Sequence, residues 1–249
     1  MLPRGLKKWG EKGAQAAQKE LDQLHRRNCF TPIDVKAMTP SKRRKAQEAL
    51  MFLTEKHDGT IKGRMVYNGK PTREWLSKED SASPTVSLES IFLTAVIDAK
   101  EERDILTADI PNAFIQTEMP PPEEGEDHVV MKITGPLAKL LVALDPETYS
   151  KYVTQERGQD VLYVLVLKAL YGMLMAALLW YNQFREDLIE IGFKFNPYDP
   201  CVANRIEKGH QQTARFHVDD LKSSSKDMRI HDDFAGWLEK KYGSSCVTS

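Results

Sequence analysis

The sequence predicts an α+β protein, because segments with the 3.6-residue apolar spacing of helices occur among short segments with the β-branched and aromatic composition of strands. Turn residues separate most of these segments. Of the 249 residues, 41% are hydrophobic and 29% are charged, as in ordinary soluble domains. A chain of this length has room for one large domain or two small ones.

Composition and cysteine spacing exclude several classes of protein. The 14 Gly and 13 Pro residues are too few for a fibrous or low-complexity chain. Cys29, Cys201 and Cys246 are far apart and none belongs to a C-x-x-C pair. This spacing excludes a disulfide scaffold and a thiolate zinc site, and it indicates a reducing compartment. The N-terminus lacks the apolar segment of a secretory signal, and no P-loop motif occurs.

The first half of the chain contains both helix and strand patterns. Up to residue 84, the predicted elements are a helix over 5–26, a helix that starts at 39–40 and continues through 50, two extended stretches on either side of 58–59, the second over 61–68, and a surface loop over 68–84. Beyond it, they are a helix from 85, a strand that ends at 109, an acidic loop over 118–127, a strand over 129–133 and a helix over 136–155. Thr39 is the N-cap of the second helix and Pro40 its first residue. Asp58-Gly59 is a turn signal between strands.

Residues 161–181 form an apolar run of transmembrane length that contains one charge, Lys168. The first part is β-branched and aromatic and the second is rich in Ala, Leu and Met, which favours a buried strand followed by a long helix ending at Gly192. A membrane-spanning segment is the alternative. The elements predicted beyond this run are two strands over 201–206 and 212–218, joined as a hairpin, and a helix over 227–241 closed by Gly243.

Charge is distributed unevenly along the chain. The formal net charge is −1, but residues 1–75 contain 17 Lys and Arg against 8 Asp and Glu, a net of +9. Residues 76–249 contain 18 against 28, a net of −10. A basic first third suits contact with phosphates, and an acidic remainder suits divalent cations. Two solvated faces of unequal charge would give the same totals.

Carboxylates at two places in the chain form a candidate metal site. Asp219-Asp220 is predicted at the tip of a tight β-hairpin, where like charges repel unless a cation neutralises them. Asp109 ends a strand, directly ahead of Ile110-Pro111. Acids at a strand end and on a neighbouring hairpin suit two-metal phosphoryl transfer, in which two Mg²⁺ ions lie about 4 Å apart. An ordinary Asp turn and a helix N-cap at Asp109 are the alternatives.

Four motifs occur in the order found in the reverse transcriptases of copia-type LTR retrotransposons. LTADIPNAFIQ resembles the first acidic motif of that family, VLKALYGMLMAALLWY its L-Y-G motif, FNPYDPCVANR its D-x-C-V segment and FHVDDL its V-D-D hairpin. SPTVSLESIFLTAVIDA resembles the helix that precedes the first motif. The resemblance runs from about residue 14 to the C-terminus, and four ordered motifs are far more specific than any one alone.

The resemblance implies both the architecture and the metal ligands. The expected fold is a fingers-like region over 1–84 and a palm-like region over 85–249, whose antiparallel, ferredoxin- or RRM-like sheet packs on helices, with the thumb absent. Asp109 and Asp219 are then the principal ligands of two Mg²⁺ ions, for which Mn²⁺ can substitute, and Asp220 supports the site.

The resemblance also implies the residues that bind the nucleotide. Phe114 follows the first Asp by five residues, and its ring would fill the space of a 2′-hydroxyl; a core aromatic is the alternative. Tyr171 and Gly172 match the nucleotide-pocket Y-G, where a residue without a side chain allows close backbone approach. The basic residues of the expected fingers strand, which contact triphosphate and template unless they are an ordinary exposed face, are Lys62, Arg64 and Lys70.

The function implied is that of an RNA- and DNA-templated DNA polymerase. Its partners would be an RNA or DNA primer–template, deoxynucleoside triphosphates and the rest of a retrotransposon polyprotein, including integrase and RNase H. The expected location is the cytoplasm, in a virus-like particle, or the nucleus, without secretion or membrane contact.

The sequence departs from the family in three places. Residues 173–178 replace the polar run that usually follows Y-G, His217 replaces the usual aromatic before V-D-D, and only about 30 residues follow Asp219. We therefore expect a fingers–palm fragment that binds primer–template weakly. The alternatives are an inactive nucleic-acid-binding remnant and a membrane-associated protein built on residues 161–181.

Overall fold

The computed structural model describes residues 1–74, 81–122, 124, 127–243 and 246. The helices in these residues are α1 (Leu2–Arg26), α2 (Pro40–Lys45), α3 (Leu88–Glu101), α4 (Gly135–Leu144), α5 (Pro146–Tyr149), α6 (Ala176–Glu190) and α7 (Met228–Tyr242). The strands are β1 (Phe30–Pro32), β2 (Gln47–Glu55), β3 (Ile61–Tyr67), β4 (Asp104–Asp109), β5 (Val130–Thr134), β6 (Thr154–Glu156), β7 (Gln159–Val166), β8 (Lys194–Phe195), β9 (Val202–Glu207), β10 (His210–His217) and β11 (Asp220–Ser225). The predicted α+β class is confirmed.

The chain divides into two compact, discontinuous units. Unit 1 comprises Met1–Ser77 and Glu118–Ala176, and unit 2 comprises Lys78–Thr117 and Ala177–Ser249. This division differs from the predicted boundary after residue 84. The reason is that β5 and β7, from the middle of the chain, pair with β2 and β1 from its beginning.

Unit 1 is built on a sheet that, within the described residues, has the strand order β1-β7-β5-β2-β3, with β6 paired to β7. Helix α1 packs on β2 and β3 through small residues, and Gly63 of β3 shows how close this packing is. A Cβ atom at Gly63 would lie 2.6 Å from the carbonyl oxygen of Ala16. The exposed Lys62 and Arg64 therefore flank a position where the strand is pressed against the helix.

Unit 2 contains an antiparallel sheet in which the described strands have the order β4-β11-β10-β9-β8. Helices α6 and α7 cover one face through a core cluster that includes Trp180, Phe184, Phe234 and Leu238. Alternation along β4 and β11 sends Ala108 and Leu221 into this core. Residues Asp109 and Asp220, one step along each strand, consequently lie on the opposite face.

The helix predicted from 39 to 50 is too long. Thr39 caps it as expected, since its hydroxyl accepts from the amide of Lys42, but α2 ends at Lys45. The residues that follow join β2, where Gln47, Ala49, Met51 and Leu53 alternate with more exposed neighbours. The local sequence favours a helix here, but packing against α1 and pairing with β3 stabilise the strand conformation instead.

The predicted helix over 136–155 is also wrong in extent. Helix α4 ends at Leu144, and Asp145 instead caps the short helix α5 through the amide of Thr148. A 3₁₀ turn and β6 complete the segment. Pro146 explains the break, because proline disfavours the helical conformation in the residue before it.

The strand predicted in the apolar run at 161–181 is β7, but the helix predicted to follow it directly begins only at Ala176. Residues 167–175 are not helical: Lys168 makes a β-bridge with Glu118, and turns follow at 171–172 and 174–175. Gly172 has a φ of 88° that a helix cannot accommodate. No helix in the described part of the chain is long and apolar enough to cross a membrane. Gly192 follows the end of α6 with a φ of 92°. The predicted loops over 68–84 and 118–127 fall partly outside the described residues.

Candidate functional site

Strand pairing in unit 2 brings Asp109 and Asp220 face to face. The two residues are direct partners in the antiparallel register of β4 and β11, although more than 100 positions separate them in the chain. Side chains of directly opposed residues project from the same face of a sheet. Both residues are exposed, and in the described part of the chain neither carboxylate has a hydrogen-bond or ion-pair partner.

The hydrogen-bond pattern shows that these two aspartates form a close pair. The amide of Ile110 donates to the carbonyl of Asp219 at 3.0 Å, so that 110 and 219 are the hydrogen-bonded pair of the ladder. Asp109 and Asp220 are therefore a non-hydrogen-bonded pair, the type in which opposed Cα atoms approach to about 4.5 Å. Two carboxylates at this spacing are within reach of one shared cation.

Asp219 lies in the turn that joins β10 to β11. His217 pairs with Asp220, so Val218 and Asp219 form a two-residue hairpin loop. Val218 has a φ of 56°, a conformation that hairpins usually reserve for glycine and that is rare for a β-branched residue. Backbone strain of this kind concentrates at functional sites. Asp219 is half-buried, whereas Asp220 is exposed.

The face that carries the acid pair opens onto a cavity of about 490 Å³. Two basic residues on its wall are already engaged with α3. The Lys222 ammonium contacts a carboxylate oxygen of the buried Asp98 at 2.5 Å. Arg215 donates to the carbonyl of Ile91 at 2.9 Å and to the hydroxyl of Thr94 at 3.0 Å. These bonds hold both cationic groups on the α3 side of the cavity.

Cys246 contacts the edge of the sheet next to Asp109. The amide of Asp109 donates to the carbonyl of Cys246 at 2.8 Å. Burial, followed by the charges of Glu239 and Asp109, raises the pKa of the Cys246 thiol. This thiol is therefore kept protonated beside the aspartate.

The donor set of the acid site is small. Within the residues that the structure describes, no group of three or more His, Cys, Asp and Glu side chains is arranged to hold a metal ion. The register instead presents two carboxylates, Asp109 and Asp220, with Asp219 adjacent in the turn. Mg²⁺ commonly binds one or two carboxylates and completes its shell with waters and substrate phosphates. A two-carboxylate site of this kind fits such an ion.

Phe114 belongs to unit 2 as well. It lies in a short 3₁₀ helix, Ala113–Gln116, that follows Asp109 and packs against the aromatic core cluster. Its ring is partly exposed. The structure thus places Phe114 five residues after Asp109 in a position compatible with either of the predicted roles, a sugar selector or a core aromatic.

Tyr171 and Gly172 are held against the end of β3 in unit 1. The amide of Tyr67 donates to the carbonyl of Tyr171 at 2.8 Å. A Cβ atom at Gly172 would lie 2.2 Å from the carbonyl oxygen of Tyr67, and one at Gly69 would lie 2.2 Å from the carbonyl oxygen of Gly172. Glycine is required at both positions because the two backbones are in direct contact.

Of the predicted basic residues, Arg64 contacts this turn directly. The Arg64 guanidinium lies 4.4 Å from the centre of the Tyr171 ring, a cation–π contact that fixes both side chains. Lys62 is exposed on the same face of β3, and Lys70 begins the 3₁₀ helix that follows the strand. On the other face, burial raises the pKa of the Glu20 carboxyl, which accepts from the amide of Met65 at 3.0 Å.

The structure therefore groups the predicted residues in two sets. Asp109, Phe114, Asp219 and Asp220 belong to unit 2, whereas Lys62, Arg64, Lys70, Tyr171 and Gly172 belong to unit 1. Trp180 is not among the residues predicted from the motifs, although it belongs to the W-Y that ends the L-Y-G motif. Its indole N–H donates to the carbonyl of Val218, in the turn that carries Asp219.

No family model and no curated protein matches the chain. Among solved structures, the chain is similar to telomerase from Candida albicans in complex with a TWJ fragment of telomeric RNA, with a TM-score of 0.37 and 9% sequence identity. The match covers 91% of this chain and 46% of that one, so the chain spans about half the length of the telomerase chain. At this TM-score the similarity carries no argument about function, which has to be drawn from the residues themselves.

Proposed function

We propose that the chain is the fingers and palm portion of a template-directed DNA polymerase, a reverse transcriptase of the copia type. The observation that supports this most strongly is the register of β4 and β11, which opposes Asp109 to Asp220 and puts Asp219 next to them. These are the acids of two motifs that the family resemblance pairs. A random pair of Asp-containing turns would have no reason to meet in this way.

The uncompensated acid pair supports a divalent cation as part of the active protein. Directly opposed like charges destabilise a sheet, and Lys222 and Arg215 are bonded elsewhere. The proposed ligands are the opposed carboxylates of Asp109 and Asp220, which Asp219 would join from the adjacent turn, and substrate phosphates would complete the shell. A Mg²⁺ ion held by these carboxylates would supply Lewis-acid chemistry, which would lower the pKa of a primer 3′-hydroxyl and stabilise negative charge on the leaving pyrophosphate.

The remaining residues have roles in binding and selection under this proposal. Lys62, Arg64 and Lys70 bind triphosphate and template phosphates through charge-assisted hydrogen bonds. The contact with Tyr171 holds the Arg64 guanidinium in place before substrate arrives. Phe114 excludes a ribose 2′-hydroxyl by occupying its space. Gly172 lets the backbone approach the nucleotide closely.

Primer extension tests the proposal directly. The purified chain is incubated with Mg²⁺, deoxynucleoside triphosphates and a primed RNA template, and extended products are separated by length. We expect short products of low processivity. If wild-type protein binds the primed template in a salt-sensitive manner but yields no product, the chain is the inactive nucleic-acid-binding remnant and the polymerase proposal is wrong.

A divalent cation is expected to raise the thermal stability of the wild-type chain. In EDTA, Asp220→Asn should raise the Tm by about 1–3 °C, because it removes one of two opposed like charges. Added Mn²⁺ should raise the Tm of the wild type more than that of Asp220→Asn. Circular dichroism melts measure both effects, with Asp232→Asn on α7 as the exposed control. Equal responses of all three proteins to Mn²⁺ would contradict a metal site at the acid pair.

Neutralising the basic face of unit 1 is expected to weaken nucleic-acid binding in proportion to the contacts removed. Lys62→Gln combined with Arg64→Gln should lower the slope of log K against log salt by about 0.7 per contact on single strands. Fluorescence anisotropy with a labelled primer–template measures this slope. Lys12→Gln, on the exposed side of α1, is the control. An unchanged slope in the double variant would remove this face from the binding surface.

A further inference from the structure

We infer that Trp180 is a positioning residue, whose indole N–H fixes the hairpin turn that carries the acids. This inference rests on the proposed function, because it deepens the account of the same site. Trp180 Nε1 donates to the carbonyl oxygen of Val218 at 2.7 Å, and the Trp180 side chain is 1% exposed. A buried indole N–H is costly to leave without an acceptor, so this hydrogen bond is strongly maintained.

The bonded carbonyl belongs to the residue directly before Asp219. The peptide group that joins Val218 to Asp219 is planar, with its carbonyl and its N–H on opposite sides. Because the Val218 carbonyl is held towards α6, the orientation of the whole peptide plane is fixed. This plane includes the Asp219 N–H and Cα, so the starting direction of the Asp219 side chain is fixed as well. One hydrogen bond thus determines the orientation of the turn.

Val218 also shows why the turn needs such a bond. Its φ of 56° is unfavourable for a β-branched residue and persists only where surrounding structure enforces it. The hydrogen bond from Trp180 is directed at this residue. Without the N–H, the peptide between Val218 and Asp219 is free to rotate towards less strained conformations, which would displace the carboxylate.

Trp180 is itself rigidly held. Its ring stacks on Phe184 with a centroid distance of 5.3 Å and an interplanar angle of 13°. Tyr242 packs edge-on against it at 5.5 Å, and the Tyr242 hydroxyl is hydrogen-bonded to the buried Asp187. The indole donor therefore has a defined position, as a positioning residue requires.

The same aromatic cluster is connected to the segment next to Asp109. The Gln116 side-chain amide donates to the carbonyl of Tyr242 at 3.2 Å and to the carbonyl of Pro111, two residues after Asp109, also at 3.2 Å. Trp180 and Gln116 thus link one core to both segments that supply carboxylates. This arrangement would keep the distance and orientation between Asp109 and the Val218–Asp219 turn constant.

The test replaces Trp180 by β-(3-benzothienyl)alanine through nonsense suppression in the full chain. This residue retains the shape of tryptophan but has sulfur in place of the N–H. The same replacement at Trp237, a partly buried ring of the same core, is the matched control. Five quantities are measured: Mn²⁺ affinity by electron paramagnetic resonance, kcat and KM in primer extension, the Tm, and the ¹⁵N–¹H resonance of the Asp219 amide.

Loss of the N–H at position 180 is expected to weaken Mn²⁺ binding and lower kcat, each by about tenfold, the effect of one lost hydrogen bond. The KM for primer–template should stay unchanged, and the Asp219 amide resonance should shift. The control at Trp237 should leave all of these unaltered. Wild-type values of kcat and Mn²⁺ affinity in the position-180 variant would overturn the inference, as would a lowered Tm with an unshifted Asp219 resonance.

The outcomes distinguish this inference from the proposed function. If wild-type protein neither binds Mn²⁺ nor extends primers, the proposed function fails. The Asp219 resonance then decides the positioning role alone, because it needs no metal and no substrate. A shift in the position-180 variant but not in the control supports the role, and an unshifted resonance overturns it.

Discussion

Replacing Asp109 or Asp219 by asparagine is expected to abolish primer extension. Asparagine has nearly the same shape as aspartate but lacks the negative charge that holds a divalent cation. Losing several kcal/mol of transition-state stabilisation corresponds to a rate lower by about 1,000-fold or more. Asp220→Asn is expected to retain a measurable fraction of activity, because the role proposed for Asp220 is to support the other two ligands. Single-turnover incorporation of one nucleotide measures all three variants.

The control for this series is Asp232→Asn. Asp232 and Asp233 form another Asp-Asp dipeptide in unit 2, on the exposed side of α7. The control changes the net charge by the same amount. Full activity in Asp109→Asn or Asp219→Asn would contradict two-metal chemistry at this site, and equal loss in the control would show that charge alone is responsible.

Gly172→Ala is expected to destabilise unit 1 by at least about 3 kcal/mol. Alanine is strained at the φ of 88° observed there, and its Cβ would lie 2.2 Å from the carbonyl oxygen of Tyr67. That carbonyl is backbone in β3, so it cannot move aside cheaply. The substitution should therefore separate the Tyr171-Gly172 turn from β3. Urea unfolding followed by circular dichroism measures the loss of stability.

Gly158→Ala isolates the cause of this effect. Gly158 has a φ of 75° in unit 1, but a Cβ atom there would meet nothing within 4 Å. This control should cost only the left-handed strain, about 1–2 kcal/mol. If the two variants unfold at the same urea concentration, the contact between the Tyr171-Gly172 turn and β3 contributes nothing to stability.

Elements with strong local signals could be predicted from the sequence. Thr39-Pro40 starts α2, Asp58-Gly59 separates β2 from β3, and the Gly-containing segment near Gly209 joins β9 to β10. In each case the signal is a backbone preference or a cap formed by residues a few positions apart. Such preferences act whatever the rest of the chain does.

Elements that depend on distant partners could not be predicted. Residues 47–50 belong to β2 because alternate side chains pack against α1, which local periodicity does not reveal. The discontinuous units follow from the pairing of β5 with β2 and β7. The turn at Tyr171-Gly172 replaces the predicted helix because Gly172 contacts β3. Each of these depends on contacts between segments far apart in the chain.

The sequence by itself determined which residue types are available for chemistry: an acid at the end of a strand, an Asp-Asp hairpin, and basic residues on an exposed strand. Only the tertiary structure decided that Asp109 opposes Asp220, that Val218 is held at a φ of 56°, and that the Trp180 N–H bonds its carbonyl. The physical reason is that the register of two strands is set by the packing of their buried residues, here Ala108 and Leu221 against α6 and α7. The free energy of this packing arises only when segments from distant parts of the chain are in contact, so no single segment can supply it.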